Sequence, residues 1–189
     1  GGAGFIGSNM ALKLIDKSYQ KTDLNNLSTQ IHGSDPENTS PLYQSIKDKV
    51  RFIHGTVTSR EDLEKSIKDQ DVIVHYAAET GTGQSMYCIE KYAEVNVQGT
   101  ALMLDILVNQ KNNVKKVIIA SSRSIYGEGK YEHPELGLVY PSHRKEDDML
   151  AGDFNVKFND HQILKLLPTS EDSKIHPSSV YGFPIRNQE

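Results

Sequence analysis

Three glycines spaced three residues apart, at Gly1, Gly4 and Gly7, open this chain of 189 residues. In α/β proteins such a run follows a buried strand and opens a helix, because glycine lets the main chain approach a diphosphate while the helix start offers unpaired N–H groups to it. Apolar side chains then recur at mostly helical spacing: Phe5, Ile6, Met10, Leu12, Leu14 and Ile15. The run therefore predicts a dinucleotide-binding loop before a helix, although the glycines by themselves also allow a flexible amino terminus.

Apolar segments alternate with helical segments along the next hundred residues. Four strands are predicted, at 20–24, 51–54, 71–78 and 116–120. Two helices are predicted, at 58–68 and 85–109. Thr58 and Glu61 have the spacing of a capping box at the start of the first helix. This alternation predicts an α/β fold, a Rossmann-like doubly wound parallel sheet. Since no strand precedes Gly1, we expect a truncated form that lacks the first strand.

Several small or polar segments fall where the predicted strands end: residues 1–7, Asn25, Thr56, 77–78 and 121–122. In an open parallel sheet, ligands bind beyond the carboxyl ends of the strands. Because these segments come from separate parts of the chain, their common placement predicts one ligand-binding rim.

The composition excludes several classes of function. A net charge of −4 leaves no basic field for nucleic acid or an anionic membrane. The single cysteine, Cys88, excludes an internal disulfide framework and a multi-cysteine zinc ribbon. No apolar run approaches the roughly 18 residues of a membrane span, and no signal peptide opens the chain, so we expect a soluble cytoplasmic protein.

Five motifs follow one another along the chain: GGAGFIGS at 1–8, HYAAE at 75–79, EVNVQGT at 94–100, ASSRSIYG at 120–127 and PSSVYG at 177–182. Together they resemble the extended short-chain dehydrogenase/reductase family, and within it the NAD-dependent nucleotide-sugar epimerases and dehydratases. The sequence ETGTGQSMY at 79–87 is most similar to the dTDP-L-rhamnose 4-epimerase-like branch. The resemblance stops where the family would continue into a C-terminal substrate domain.

With this family in view, we divide the chain into an NAD-binding core at 1–127, an irregular insertion at 128–176 and the start of the catalytic-tyrosine helix at 177–189. The resemblance implies NAD as the cofactor and a nucleotide sugar as the substrate. The implied reaction is 4-epimerisation of a dTDP- or UDP-linked hexose through a 4-keto intermediate, with dehydration as the alternative.

Site residues follow from the same resemblance. Tyr181 would move the proton as the general base, and Ser122 would hydrogen-bond the same oxygen. The residues that the resemblance places at the cofactor are Gly1, Gly4, Phe5, Ile6, Gly7, Asn25, Thr56, Val57, Ala77, Ala78, Asn96 and Ser121.

Three positions depart from the family's pattern. Ile185 stands where the family has a lysine beside the tyrosine, and a phenol without a neighbouring positive charge keeps a pKa near 10. Asn25 stands where an acid would bind the ribose, with Asp23 as the alternative if the strand register slips. Thr56 stands where an aspartate would contact the adenine. We therefore expect weak NAD binding and impaired catalysis.

Metal binding and dimerisation receive less support from the sequence. The insertion contains His133, His143 and His161 but no thiolate, so no metal site is expected. Dimers of the family form through two helices, here the stretch 85–109 and one that starts near Ser178. Because the second stops at Glu189, the sequence predicts no dimer for this chain.

Two alternatives to an enzyme stay open. The chain could be a non-catalytic Rossmann module that binds a nucleotide or a partner protein. It could also be a decayed coding fragment with no selected activity.

Overall fold

The computed structural model describes residues 1–159, 164–182 and 185. The described residues form two compact units. The first contains Gly1–Glu79 and Glu90–Ala120, and the second contains Thr80–Ile89 and the described residues from Ser121 onward. The boundaries predicted from the sequence, at 127 and 176, remain predictions. No helix in the described part of the chain has the length and hydropathy needed to cross a membrane.

Two pairs of parallel strands form the sheet structure of the first unit. Strand β1 (Thr22–Asn25) pairs with β2 (Arg51–His54), and β3 (Val72–His75) pairs with β4 (Lys116–Ile119). Gly1 lies between the pairs, because its main-chain nitrogen donates to O of Leu24 at 2.8 Å and a Cβ on Gly1 would lie 2.6 Å from the carbonyl of Tyr76. The parallel pairing confirms the predicted α/β class.

The helices of the first unit include α1 (Phe5–Ile15), α2 (Thr29–His32), α3 (Pro36–Thr39), α4 (Pro41–Gln44), α5 (Arg60–Ile67) and α8 (Gly99–Asn109). Two apolar clusters pack α1, α4, α5 and α8 against the rest of the unit. One contains Ala3, Ala11, Leu27, Tyr43 and Ile46, and the other contains Val57, Leu63, Ile67, Met103 and Ile106.

The predicted helix 85–109 is helical without a break only from Ile89 to Asn109, and its predicted start at 85 is wrong. The structure has α6 (Thr82–Ser85), α7 (Ile89–Tyr92), a π-helical stretch (Ala93–Gln98) and then α8. A turn separates α6 from α7, and apolar periodicity does not detect a turn of this length. The strand predicted at 71–78 is also too long, since β3 ends at His75.

The second unit contains more regular structure than its composition indicates. Strand β5 (Lys130–His133) is the centre of a three-stranded antiparallel sheet, with β6 (Gly137–Val139) and β7 (Lys165–Leu167) on its two sides. A 3₁₀ turn (Arg123–Tyr126) precedes the sheet, and α9 (Glu146–Leu150) follows β6. The segment 128–176 is therefore not irregular throughout, because short strands whose partners are distant in sequence leave little local signal.

Candidate functional site

The glycine loop of the first unit folds tightly under the start of α1. The main-chain N of Gly4 donates to O of Gly1 at 3.2 Å, and a Cβ on Gly7 would lie 2.4 Å from that same oxygen. Only glycine fits at residue 7 without moving the loop. The first hydrogen bond of α1 runs from Ser8 to O of Gly4, and no acidic residue lies in the first turn. The loop thus places a helix start without negative charge beside the ends of β1 and β3.

Phe5 and Ile6, which form the first turn of α1, point into solvent. Their side chains are 73% and 63% exposed, although both are large and apolar. The family resemblance implies that both lie at the cofactor, and their exposure leaves them accessible to a ligand at the start of the helix.

Asn25 ends β1 and is almost completely buried. Its Oδ1 accepts the main-chain N–H of Leu27 at 2.8 Å, so the amide holds the turn that follows the strand. Asp23, the alternative acid, lies buried beneath Gly2, where a Cβ on Gly2 would come within 2.5 Å of its Cγ. Burial raises the pKa of Asp23, and the charge of Lys21, 3.5 Å away, acts in the opposite direction. Asp23 is therefore covered by the loop, whereas Asn25 stands at the strand end.

Thr56 and Val57 follow β2 and lie next to Asn25, since Gly55 donates to the main-chain O of Asn25 at 3.1 Å. The main-chain N of Thr56 donates to Oδ2 of Asp62 at 3.0 Å. Val57 is buried in the second apolar cluster. Asp62 is a residue that the sequence analysis missed.

The cap of α5 differs from the prediction. Oγ of Ser59 accepts the main-chain N–H of Asp62 at 3.3 Å, so Ser59 caps the helix and the predicted pair Thr58 and Glu61 does not. The Asp62 carboxylate accepts the N–H of Thr56 and not that of Ser59, so the cap is not a reciprocal box. Ser59 and Asp62 have the same spacing one residue later, and this was the signal available in the sequence.

Ala77 and Ala78 are half-buried and continue the chain beyond β3. Asn96, in the π-helical stretch, is completely buried and holds the end of this segment. Its Oδ1 accepts the N–H of Glu79 at 2.8 Å, and its Nδ2 donates to O of Glu79 at 3.1 Å. The two polar atoms of its amide thus contact the protein main chain.

Ser122 and Tyr181, the predicted catalytic pair, both belong to the second unit. Ser122 caps the 3₁₀ turn, and its Oγ contacts both N and Oγ of Ser124, at 3.2 and 3.1 Å. Ser121 precedes it and is exposed. The segment that carries Tyr181 packs on this turn, because a Cβ on Gly182 would lie 2.8 Å from O of Ser124. The main-chain N–H of His176 also donates to O of Ile125 at 2.9 Å.

The side chain of Ile185 is buried, with 3% of its surface exposed. Its apolar side chain provides neither a charge nor a hydrogen-bond donor to the tyrosine segment. Among the described residues, no group of three or more His, Cys, Asp or Glu side chains could hold a metal ion. His161, one of the three histidines considered for a metal, lies outside the described residues.

The sequence model of the NAD dependent epimerase/dehydratase family matches residues 1–144, which is more than half of the chain. The chain belongs to this family. The recognised family is confirmed, and NAD is confirmed as the cofactor of the family.

Individual members of the NAD dependent epimerase/dehydratase family show the extent of the similarity. The dTDP-L-rhamnose 4-epimerase of Burkholderia thailandensis is 32% identical over 100% of this chain and 50% of its own length. The UDP-glucose 4-epimerase of Drosophila melanogaster is 31% identical over 75% of this chain and 42% of its own length. The chain thus spans about half the length of the curated relatives it matches.

A solved structure of the family has the same fold. The UDP-glucuronic acid 4-epimerase of Bacillus cereus, as a mutant in complex with UDP-4-deoxy-4-fluoro-glucuronic acid and NAD, superposes with a TM-score of 0.69. The match covers 100% of this chain and 48% of the other at 21% identity. At this identity the similarity shows the fold alone, and it confirms the predicted Rossmann-like class for a chain of half the length.

Proposed function

We propose that this protein is a nucleotide-sugar 4-epimerase that binds NAD and acts on a dTDP- or UDP-linked hexose, with catalysis impaired in this chain. The observation that carries the proposal is the glycine loop. It folds between the ends of β1 and β3, opens α1, and excludes a Cβ at Gly1 and Gly7. A loop of this shape lets a diphosphate come close to the main chain at a helix start.

The chain's own residues fit a dinucleotide in most respects. The N–H groups of Phe5, Ile6 and Gly7 would hold the diphosphate, since the first turn of a helix leaves such groups without intrahelical partners. Asn25 and Thr56 stand together at the neighbouring strand ends and would meet the adenosine. NAD, when bound, supplies reversible hydride transfer.

The proton step falls to the second unit. Tyr181, as the phenolate, would take the proton of a sugar hydroxyl and become the neutral phenol, and Oγ of Ser122 would hydrogen-bond the same sugar oxygen. The packing of the segment around Gly182 on the turn after Ser122 supports this pairing. Impairment is argued from Ile185, because a buried apolar side chain cannot stabilise a phenolate at the tyrosine.

NAD titration of the wild-type protein and of Gly7→Ala tests the loop. We expect NAD to raise the melting temperature of the wild type by mass action. Gly7→Ala is expected to lose this shift relative to its own melting temperature, because its Cβ would lie 2.4 Å from O of Gly1. Gly83→Ala is the matched control, since a Cβ there meets no atom within 4 Å. A wild type that NAD does not stabilise would reject the proposal.

Turnover of UDP- and dTDP-hexoses tests the impairment. We expect very slow product formation by the wild type, measured by NMR of the sugar. Ile185→Lys is expected to raise the rate by roughly tenfold or more, since each unit by which the tyrosine pKa falls is about tenfold in phenolate. Ile185→Met, which brings no charge, is the control. Fast turnover by the wild type would refute the impairment.

A second candidate is a non-catalytic nucleotide-binding module, and the burial of Ile185 at the lysine position favours it. This candidate predicts that NAD binds while neither the wild type nor Ile185→Lys converts any sugar nucleotide.

A further inference from the structure

A chain of buried hydrogen bonds links β3 to α8 in the first unit. Nε2 of His75 lies 3.1 Å from Oγ1 of Thr100, and that hydroxyl donates to the main-chain O of Asn96 at 2.8 Å. A threonine hydroxyl has one proton, and Thr100 donates it to Asn96. His75 is therefore the donor to Thr100, with its proton on Nε2.

The same series of hydrogen bonds continues from Asn96 to Glu79. The amide of Asn96 bonds both the N–H and the C=O of Glu79, much as a neighbouring strand would. The carboxylate of Glu79 is 10% exposed and lies 3.0 Å from Nζ of Lys91 in α7. Main chain and side chain of Glu79 are therefore both held by the helical segment that follows.

The π-helical stretch Ala93–Gln98 places Asn96 at this position. A π-turn holds one residue more than an α-turn, and such turns occur often at functional sites. Here the stretch lies between two α-helices, and Thr100 bonds the Asn96 carbonyl with its side chain. Asn96 thus makes its contact with Glu79 from within the π-helical stretch.

The segment between His75 and Glu79 is held at both of its ends by this network. It contains Ala77 and Ala78, and its first residue, Tyr76, touches the glycine loop. A Cβ on Gly1 would lie 2.6 Å from both C and O of Tyr76, so the segment and the loop are in direct contact. A shift of residues 76–79 toward Gly1 would therefore displace the glycine loop.

We propose that Asn96 is a positioning residue that acts on the cofactor through the main chain of residues 76–79 and does not itself bind the cofactor. Its amide sets the segment against Gly1 and so keeps the glycine loop in its binding shape. The inference rests on the proposed NAD binding, and it changes the role that the sequence suggested for Asn96 from contact to support.

Hydrogen exchange in the ligand-free protein tests the mechanical part without any cofactor. We expect Asn96→Ala to raise the exchange rate of the Glu79 amide by roughly tenfold, because that N–H loses its buried acceptor. Asn96→Asp keeps an acceptor for this N–H but loses the donor to the carbonyl, so its Glu79 amide should remain more protected.

NAD affinity, measured by calorimetry, tests the functional part. Asn96→Ala is expected to weaken binding by roughly tenfold. Ile106→Val removes one methyl group from the same unit's core and controls for a general loss of stability. Thr100→Val breaks the network without changing Asn96, and it should weaken NAD binding while Thr100→Ser restores it.

The possible outcomes separate the two proposals. The inference is overturned if Glu79 exchange is unchanged in Asn96→Ala, or if exchange rises while NAD affinity stays at the wild-type value. It is also overturned if Ile106→Val weakens NAD binding as much as Asn96→Ala at equal stability. If the wild type binds no NAD, the proposed function fails, and the Glu79 exchange rates alone decide whether Asn96 positions the segment.

Discussion

His75 and Asp23 are titratable side chains almost fully buried in the first unit. His75 ends β3 and donates to Thr100, whereas Asp23 lies in the middle of β1 under the glycine loop. Oδ2 of Asp23 is buried and has no hydrogen-bond partner within the described ranges. Burial shifts both pKa values toward the neutral form, so that of His75 falls and that of Asp23 rises.

The stability of the protein should depend on the protonation of His75. Burial lowers the pKa of His75 to about 4, below the ordinary value of 6.5. Between these values the unfolded chain binds more protons, so the free energy of unfolding falls as the pH decreases from about 6.5 to about 4. The full loss is on the order of 3 kcal/mol.

Chemical denaturation of the wild type and of His75→Gln at a series of pH values measures this dependence. Gln keeps a donor for Thr100 but does not titrate. The difference in the free energy of unfolding between the two proteins should therefore change with pH below about 6.5 and stay constant above it. A difference that stays constant across the whole range would show that His75 is not buried as described.

At the scale of elements, α5 shows how one side chain sets a helix start near the site. Ser59 caps the helix, and Asp62 bonds back to Thr56, so the cap also shapes the turn after β2. The loop that carries Thr56 and Val57 is thus fixed by its own downstream helix.

Ser59→Ala is expected to lower the free energy of unfolding by about 1 kcal/mol, because one N–H of the first turn loses its acceptor. Glu61→Ala should cost less than about 0.5 kcal/mol, since the side chain of Glu61 forms an exposed ion pair with Lys65. Urea denaturation of both variants measures the difference. Equal losses would favour the cap at Thr58 and Glu61 instead.

At the scale of the whole molecule, α8 lies in one of the two stretches through which the resemblance implies that a family dimer forms. Its exposed large apolar side chains are Leu104, at 43%, and Val108, at 81%. Two such side chains provide far less than the roughly 800 Å² per partner of a stable interface. We therefore expect a monomer at micromolar concentrations.

Sedimentation velocity of the wild type and of Val108→Asp checks the oligomeric state. Both proteins should sediment as monomers with the same coefficient. A wild-type dimer that Val108→Asp dissociates would identify α8 as the interface and contradict the expectation.

The sequence by itself was sufficient to predict the helices and strands that depend on the spacing of neighbouring residues. Helix α1 and strand β2 lie where their apolar spacing placed them, and the glycine spacing indicated the loop before α1. The parallel α/β class also followed, because alternating strands and helices leave few other arrangements. The motif order was sufficient to recognise the family.

Only the tertiary structure decided the features that depend on residues far apart in the chain. The antiparallel sheet around β5 needs β7, more than thirty residues away, and the role of Asn96 needs Glu79 seventeen residues before it. The burial of Asp23 depends on Gly2 lying over it. Periodicity reports which face of a segment is apolar, but a hydrogen bond or a covered carboxylate is set by which segment packs against that face.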